Sequence, residues 1–299
     1  MIIEAVDVTK CYSGNNAVDA ISFSVKRGEI VGFVGANGAG KSTTINMSLG
    51  FLRPTRGEIR LFDKKITPSN AHHFHKKIGY AAGDMQLPNG LTGAKYIDFV
   101  SNVANIDTTK RLQQLEQIFQ PQLNKKIGSL SRGNKQKIAL IAAFCANPEL
   151  VILDEPTSGL DPIMQEKFLQ LVREEQQRGS TVFMSSHNLN EVADVCSRII
   201  LLRSGKVIKD VAASELLQKS GKQVRVVTGD KQLRPPAGAE NIKKQLDADK
   251  NRILEFNWKH SPADLQHWVA NIHKLIDIEI TEFDLETAFQ DMYEEGKPL

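Results

Sequence analysis

Cysteine is scarce in this chain: Cys11, Cys145 and Cys196 are the only three in 299 residues. Their spacing fits neither a metal-ligand set nor a redox pair, and an odd count excludes a fully paired disulfide framework. They read as small core residues in a reducing compartment. Charge of one sign is lacking too. Lys and Arg total 38 against 35 Asp and Glu, a net +3, which is too little to make nucleic acid the main ligand. Long hydrophobic runs are missing. The longest, Ile138 to Ala146, is about half of the roughly 20 residues that a membrane-spanning helix needs. The opening segment "MIIEAVDVTK" places Glu4 early and has no basic-then-apolar order, so it does not read as a signal peptide. No internal repeat or low-complexity tract is present. What remains is a globular chain of ordinary composition with a sizeable core.

Strands come first: alternation over Ile3–Val8, then "AISFSV", then "EIVGFVG" after the Arg27-Gly28 turn. A helix is predicted from Lys41 to Leu52, stopped at Arg53-Pro54. "GEIRLFD" and "KIGYAA" read as further strands, and the pattern turns helical from about 91 to 146 with a break at Pro121. "ELVILDE" is a continuous apolar strand of the kind buried on both faces. Asp161-Pro162 caps a helix carrying Met164, Phe168, Leu171 and Val172 at helical spacing. "STVFMSS" is a buried strand, Leu189 to Cys196 a helix, and "RIILLRSGKVIKD" a hairpin about Ser204-Gly205. Alternating strands and helices indicate an α/β protein with a parallel-centred sheet. Past residue 220 the character changes. "KQVRVVTGD" and "NRILEFNWK" read as two strands joined by a polar loop with Pro235-Pro236. Ser261-Pro262 caps a helix whose stripe is Leu265, Trp268, Val269, Ile272 and Leu275. "IDIEITEFD" and a last helix, Leu285 to Glu294, complete a small α+β unit. Trp268 on the apolar stripe reads as core rather than as a membrane contact. His72, His73 and His75 lack acidic or cysteine partners at ligand spacing, so they read as a solvated loop.

Gly35-Ala36-Asn37-Gly38-Ala39-Gly40-Lys41-Ser42 matches the phosphate loop G-x-x-x-x-G-K-[ST]. Its glycines let backbone N–H groups point at phosphate oxygens, Lys41 bridges the β- and γ-phosphates, and the Ser42 hydroxyl suits Mg²⁺. The strand, loop, helix context is the one this motif requires. In "LVILDE", Asp154 and Glu155 follow four apolar residues and so stand at the carboxyl end of a buried strand, where α/β ligands bind. Asp154 can hold Mg²⁺ through water, and Glu155 can accept a proton from an attacking water. A third stretch, "SLSRGNKQKIALIAAF", opens an apolar helix at Ser131 with Arg132, Lys135 and Lys137 close by. A helix start with a serine and free N–H groups is a ready anion site.

Together these motifs resemble the ATP-binding subunits of ABC transporters over residues 1 to about 218, all in that family's order. Leu130-Ser131-Arg132-Gly133-Asn134 stands where the family's signature LSGGQ is commonest, with Arg132 and Asn134 at tolerant positions. Ser158-Gly159-Leu160-Asp161 matches its D-loop, His187 its switch histidine, and Tyr12 the aromatic that stacks on adenine. The resemblance implies a P-loop ATPase fold of ABC type, with an antiparallel N-terminal β subdomain and a helical signature subdomain at about 91–146. It implies ATP bound by Tyr12 and the loop through Thr43, Mg²⁺ held by Ser42 and Asp154, and hydrolysis by Glu155 with His187. Ser131, Gly133 and Asp161 would then touch the nucleotide of a partner subunit in a head-to-tail homodimer or heterodimer. One motif departs. The family's Q-loop glutamine position is Gly83, and Asp84 or Gln86 could substitute, an acid being an adequate hard oxygen ligand.

The expected organisation is therefore an ATPase domain over 1–220 and an accessory α+β domain over 221–299. The expected function is to power a separate integral-membrane permease, export being favoured over uptake, from the inner face of the cell membrane. No nucleic acid and no metal beyond Mg²⁺ is expected. A rival is a soluble ABC-type ATPase acting on ribosomes or DNA. Such proteins carry two cassettes or a long coiled-coil insert, and Lys41 to Ser131 leaves no room for one. A second rival, a binding-only regulatory subunit, sits poorly with Glu155 and His187 both present.

Overall fold

Alternating apolar and polar residues at the start of the chain make two long antiparallel strands, β1 (Ile3–Tyr12) and β2 (Asn15–Val25). The chain then enters β3 (Ile30–Gly35), an apolar strand buried at every residue. Strands β4 (Arg56–Leu61) and β5 (Lys64–Lys65) join the first two in an antiparallel sheet of order β2-β1-β4-β5. This computed structural model describes residues 1–84, 86–104, 107–215, 221–247 and 249–282. It divides into two compact units, Met1–Val211 and Ala212–Leu299; the expected boundary at 220 falls just past this division.

A six-stranded sheet dominates the first unit. It contains β3, β6 (Ile78–Ala82), β7 (Leu150–Asp154), β8 (Thr181–Ser186), β9 (Arg198–Arg203) and β10 (Lys206–Ala212), in the order β10-β9-β3-β8-β7-β6. The pairs from β9 to β6 are parallel. Strands β7 and β8, like β3, are buried throughout, as a parallel sheet covered on both faces demands. Phe23, Phe33 and Phe183 meet where the two sheets share a core, with ring centroids 5.1–5.7 Å apart. The helices are α1 (Lys41–Ser48), α2 (His72–His75), α3 (Gly93–Ala104), α4 (Thr109–Phe119), α5 (Arg132–Phe144), α6 (Pro162–Gln177) and α7 (Leu189–Ala193). Helices α3 to α5 form the expected helical segment, and Gln120, left-handed at φ 47°, ends α4 before Pro121. The fold is α/β with a mostly parallel central sheet and separate antiparallel sheets.

Several elements differ from the sequence expectation. Helix α1 stops at Ser48, short of Leu52, because Gly50 turns left-handed at φ 73° and packs so tightly that a Cβ would lie 2.7 Å from that of Ala71. Helix α7 stops at Ala193, short of Cys196. The three histidines form a short helix rather than a loop, with His75 Nε2 2.8 Å from the Leu49 carbonyl oxygen. Among the described residues no His, Cys, Asp and Glu group could hold a metal by itself, and no helix is long and apolar enough to cross a membrane. Cys145 and Cys196 are buried, but Cys11 is only half-buried.

In the second unit, β11 (Lys222–Thr228), β12 (Glu240–Leu246), β13 (Arg252–Trp258) and β14 (Leu275–Glu282) form an antiparallel sheet of order β12-β13-β11-β14. Strand β12 lies where a loop was expected; all of its residues are exposed, so no alternation betrayed it. Helix α8 (Pro262–Ala270), capped by Ser261, covers one face. Trp268 meets Phe256 edge-on at 5.3 Å and Trp258 is buried, so both indoles serve the core. The helix ends before Ile272 and Leu275; Ile272 still packs on this core, while Leu275 starts β14. The expected last helix, Leu285 to Glu294, lies outside the described residues.

Candidate active site

The Gly35–Ser42 loop leaves β3 and enters α1. Gly38 and Gly40 stand at φ 81° and 103°, and a Cβ on Gly40 would lie 2.6 Å from the Ala17 carbonyl oxygen. Only glycine tolerates that combination. The first-turn N–H groups of α1 have no partner within the helix and are available to an anion at the loop. Lys41 is 5% exposed. Its ammonium donates to the carbonyls of Gly35 at 2.7 Å and Ala36 at 3.2 Å, and pairs with Glu155 Oε1 at 3.1 Å.

The two acids occupy the end of β7. Asp154 is buried and accepts from Ser185 Oγ at 2.5 Å, and that hydroxyl in turn accepts the Glu155 backbone N–H at 3.0 Å. Ser185 on β8 thereby ties both acids to the neighbouring strand. Glu155 is the first residue past the strand and takes a left-handed conformation, φ 51°. That is uncommon for a residue with a side chain, and such strain concentrates at functional sites. The turn sets the carboxylate between Lys41 and His187, whose Nδ1 lies 2.6 Å from Oε2. An ionised carboxylate only accepts, so Nδ1 carries the proton. Partial burial by itself would push the Glu155 carboxyl up, but the hydrogen bond from His187 and the contact with Lys41 outweigh it and hold the carboxyl below its ordinary value.

These groups share one cleft of about 900 Å³. Tyr12 lines it, exposed, with the Lys10 ammonium 5.2 Å from its ring centroid. Asn37, Gly38, Gly40, Lys41, Ser42 and Thr43 form the loop side, and Asp154, Glu155 and His187 the acidic side. Gly35, Ala36 and Ala39 frame the loop from behind: the first two supply carbonyls to Lys41, and Ala39 is buried. Exposed Ser42 and the Asp154 carboxylate, lining the same cleft, are hard oxygen donors, a set that fits Mg²⁺.

Ser131, Gly133 and Asp161 do not line this cleft. Ser131 caps α5 by accepting from Asn134 N at 3.4 Å, and Asp161 caps α6 by accepting from Met164 N at 3.0 Å. Gly133 packs on the D-loop, where a Cβ would lie 2.7 Å from the Gly159 carbonyl oxygen. Three contributors were not anticipated. For Ser185 the available signal is a hydroxyl near the carboxyl end of a buried strand, a signal that it shares with Ser186. Gln136 donates to the Pro156 carbonyl at 2.9 Å, joining α5 to the segment after the acids. Arg132, expected to be a tolerated variant, donates from Nη2 to Asp84 Oδ1 at 2.9 Å and to Ser158 Oγ at 2.8 Å.

Comparison with known proteins agrees with this geometry. The family model described as ABC transporter matches residues 18–158. The bacitracin transport ATP-binding protein BcrA of Bacillus licheniformis is 32% identical over 77% of this chain and 76% of its own. The SkfA peptide export ATP-binding protein SkfE of Bacillus subtilis is 33% identical over 70% of this chain and 89% of its own. Among solved structures, a dimeric ATP-binding cassette in a post-hydrolysis state bound to ADP and Pi superposes with a TM-score of 0.65. It is 26% identical and covers 71% of this chain and 98% of that one. A phosphate loop facing the two acids at the end of a buried strand, on a chain with relatives this close, makes this protein a member of the ABC transporter family, one of its ATP-binding, ATP-hydrolysing subunits.

Proposed function

We propose that this subunit drives an export permease from the inner face of the membrane, hydrolysing ATP at two composite sites in a dimer. The observation that carries the hydrolytic part is Glu155, aimed into the loop's cleft and held by Lys41 and His187. Lys41 is neutralised by Glu155 in this structure, and the phosphates of ATP offer it more negative charge. Moving Lys41 to the phosphates removes a cation from beside Glu155 and brings anions nearer, which raises the carboxyl toward the range of an effective general base. Glu155 then accepts the proton of the water that attacks the γ-phosphorus, ADP departs, and His187 keeps the carboxylate oriented. Mg²⁺, held by Ser42 and Asp154, would neutralise phosphate charge in this step. Tyr12, exposed in the cleft's lining, offers its ring to the adenine.

Ser131, Gly133 and Asp161, which do not line the chain's own cleft, are read as contacts to the partner's nucleotide. Export is supported by the relative named for SkfA peptide export. Residues 221–299 are read as an accessory domain. The test is to recover the chain from membranes and follow phosphate release from ATP. Co-purification of a polytopic membrane protein is expected; recovery with ribosomes or DNA alone would overturn the reading.

A further inference from the structure

The loop after β6 lacks the glutamine usual in the family, and a side chain at position 83 would displace its neighbours in this structure. The Gly83 N–H donates to the Asp154 carbonyl at 2.8 Å, and a Cβ there would lie 2.8 Å from the Glu155 carbonyl oxygen and 3.0 Å from Ser158 Cβ. Of Asp84 and Gln86, Asp84 lines the cleft of Lys41 and Ser42, whereas Gln86 lines only a neighbouring cleft of about 440 Å³. Arg132, from the start of α5, lines both clefts and bridges Asp84 and Ser158 with one nitrogen.

We propose that Asp84 and Arg132 act as a positioning pair for the chain's own nucleotide site, Asp84 exchanging Arg132 for the cation that accompanies ATP. This rests on the reading of Ser42 and Asp154 as the cation's holders. The Asp84 side chain is 90% exposed and that of Arg132 61% exposed. An ion pair so exposed contributes little and breaks readily, so a divalent cation in the same cleft outcompetes a single guanidinium. Arg132 keeps its hydrogen bond to Ser158 through the exchange, and α5 stays joined to the D-loop. Before nucleotide arrives each acid of the cleft has a partner: Glu155 has Lys41, Asp154 has Ser185, and Asp84 has Arg132. Arg132 is thus a competitor for Asp84, which gives the two residues opposite signs.

The test is the affinity of the full chain for a non-hydrolysable ATP analogue, by calorimetry, in Mg²⁺ and in EDTA. Asp84→Asn is expected to weaken binding in Mg²⁺ about tenfold, at the lower edge of what loss of a group supporting a metal site costs, with binding in EDTA unchanged. Arg132→Gln is expected to tighten binding in Mg²⁺ about two- to fivefold, the worth of an exposed ion pair, and the double variant should show no such gain. A merely structural role for Asp84 would move both conditions alike. Undiminished Mg²⁺ dependence in Asp84→Asn, or a gain from Arg132→Gln that persists without Asp84, overturns this proposal alone. Wild-type binding equal in Mg²⁺ and EDTA overturns it together with the cation reading beneath it.

Discussion

Replacing Glu155 by glutamine preserves shape while removing the carboxylate paired with Lys41. The variant keeps a side-chain oxygen for His187 Nδ1, so the 2.6 Å contact can persist, but it loses the 3.1 Å ion pair and the ability to take a proton. Loss of a general base costs about 10²- to 10⁴-fold in rate, equivalent to roughly 2.7–5.4 kcal/mol of barrier. Binding moves the other way. Lys41 is buried and, without Glu155, no longer has to leave a carboxylate to reach phosphate; a partly exposed pair contributes roughly 1 kcal/mol. Nucleotide affinity should therefore hold or tighten up to about fivefold, and ATP should accumulate in closed dimers. Phosphate release, calorimetry and size-exclusion chromatography with ATP measure the three quantities. Turnover at the wild-type rate, or nucleotide binding weakened tenfold, would refute the placement of Glu155 as base and as counter-ion of Lys41.

Ser131→Arg should leave nucleotide binding intact yet abolish ATP-dependent dimers in cross-linking, since a bulky cation replaces the hydroxyl at the start of α5; normal dimerisation would remove the composite site. Gly83→Gln should not restore the usual family loop: its Cβ meets the Glu155 carbonyl oxygen at 2.8 Å, an overpacking that costs about 1–3 kcal/mol, read as a lower denaturation midpoint. Arg111→Ala removes one of the two guanidinium partners of the buried Glu175 carboxylate and leaves it Arg178 at 2.7 Å. Losing one buried hydrogen-bond partner costs about 1–3 kcal/mol, and chemical denaturation showing no loss would contradict the burial. Residues 1–220 alone should bind ATP, because every nucleotide motif precedes 220; a soluble truncation unable to bind nucleotide in calorimetry would show that the accessory domain completes the site.

Local chemistry was legible in the order of residues alone. A Gly-rich loop between a strand and a helix, two acids closing an apolar run, and Ser or Asp before Pro at a helix start each depend on residues a few positions apart. Each therefore appears in the structure where the pattern put it: Lys41 on α1, Asp154 ending β7, Asp161 and Ser261 as caps. Only the tertiary structure decided what depends on neighbours far along the chain. The end of α1 is set by the space Ala71 leaves at Gly50, and β12 exists because β13 supplies a ladder to residues that bury nothing. Ser185 reaches Asp154 across two strands 31 residues apart, and Arg132 reaches Asp84 across 48. Periodicity and capping rules act over one or two turns of chain, whereas these contacts arise when packing brings distant backbones within a few ångströms. For that reason Gly83 reads as a missing side chain in the sequence and as a filled position in the fold.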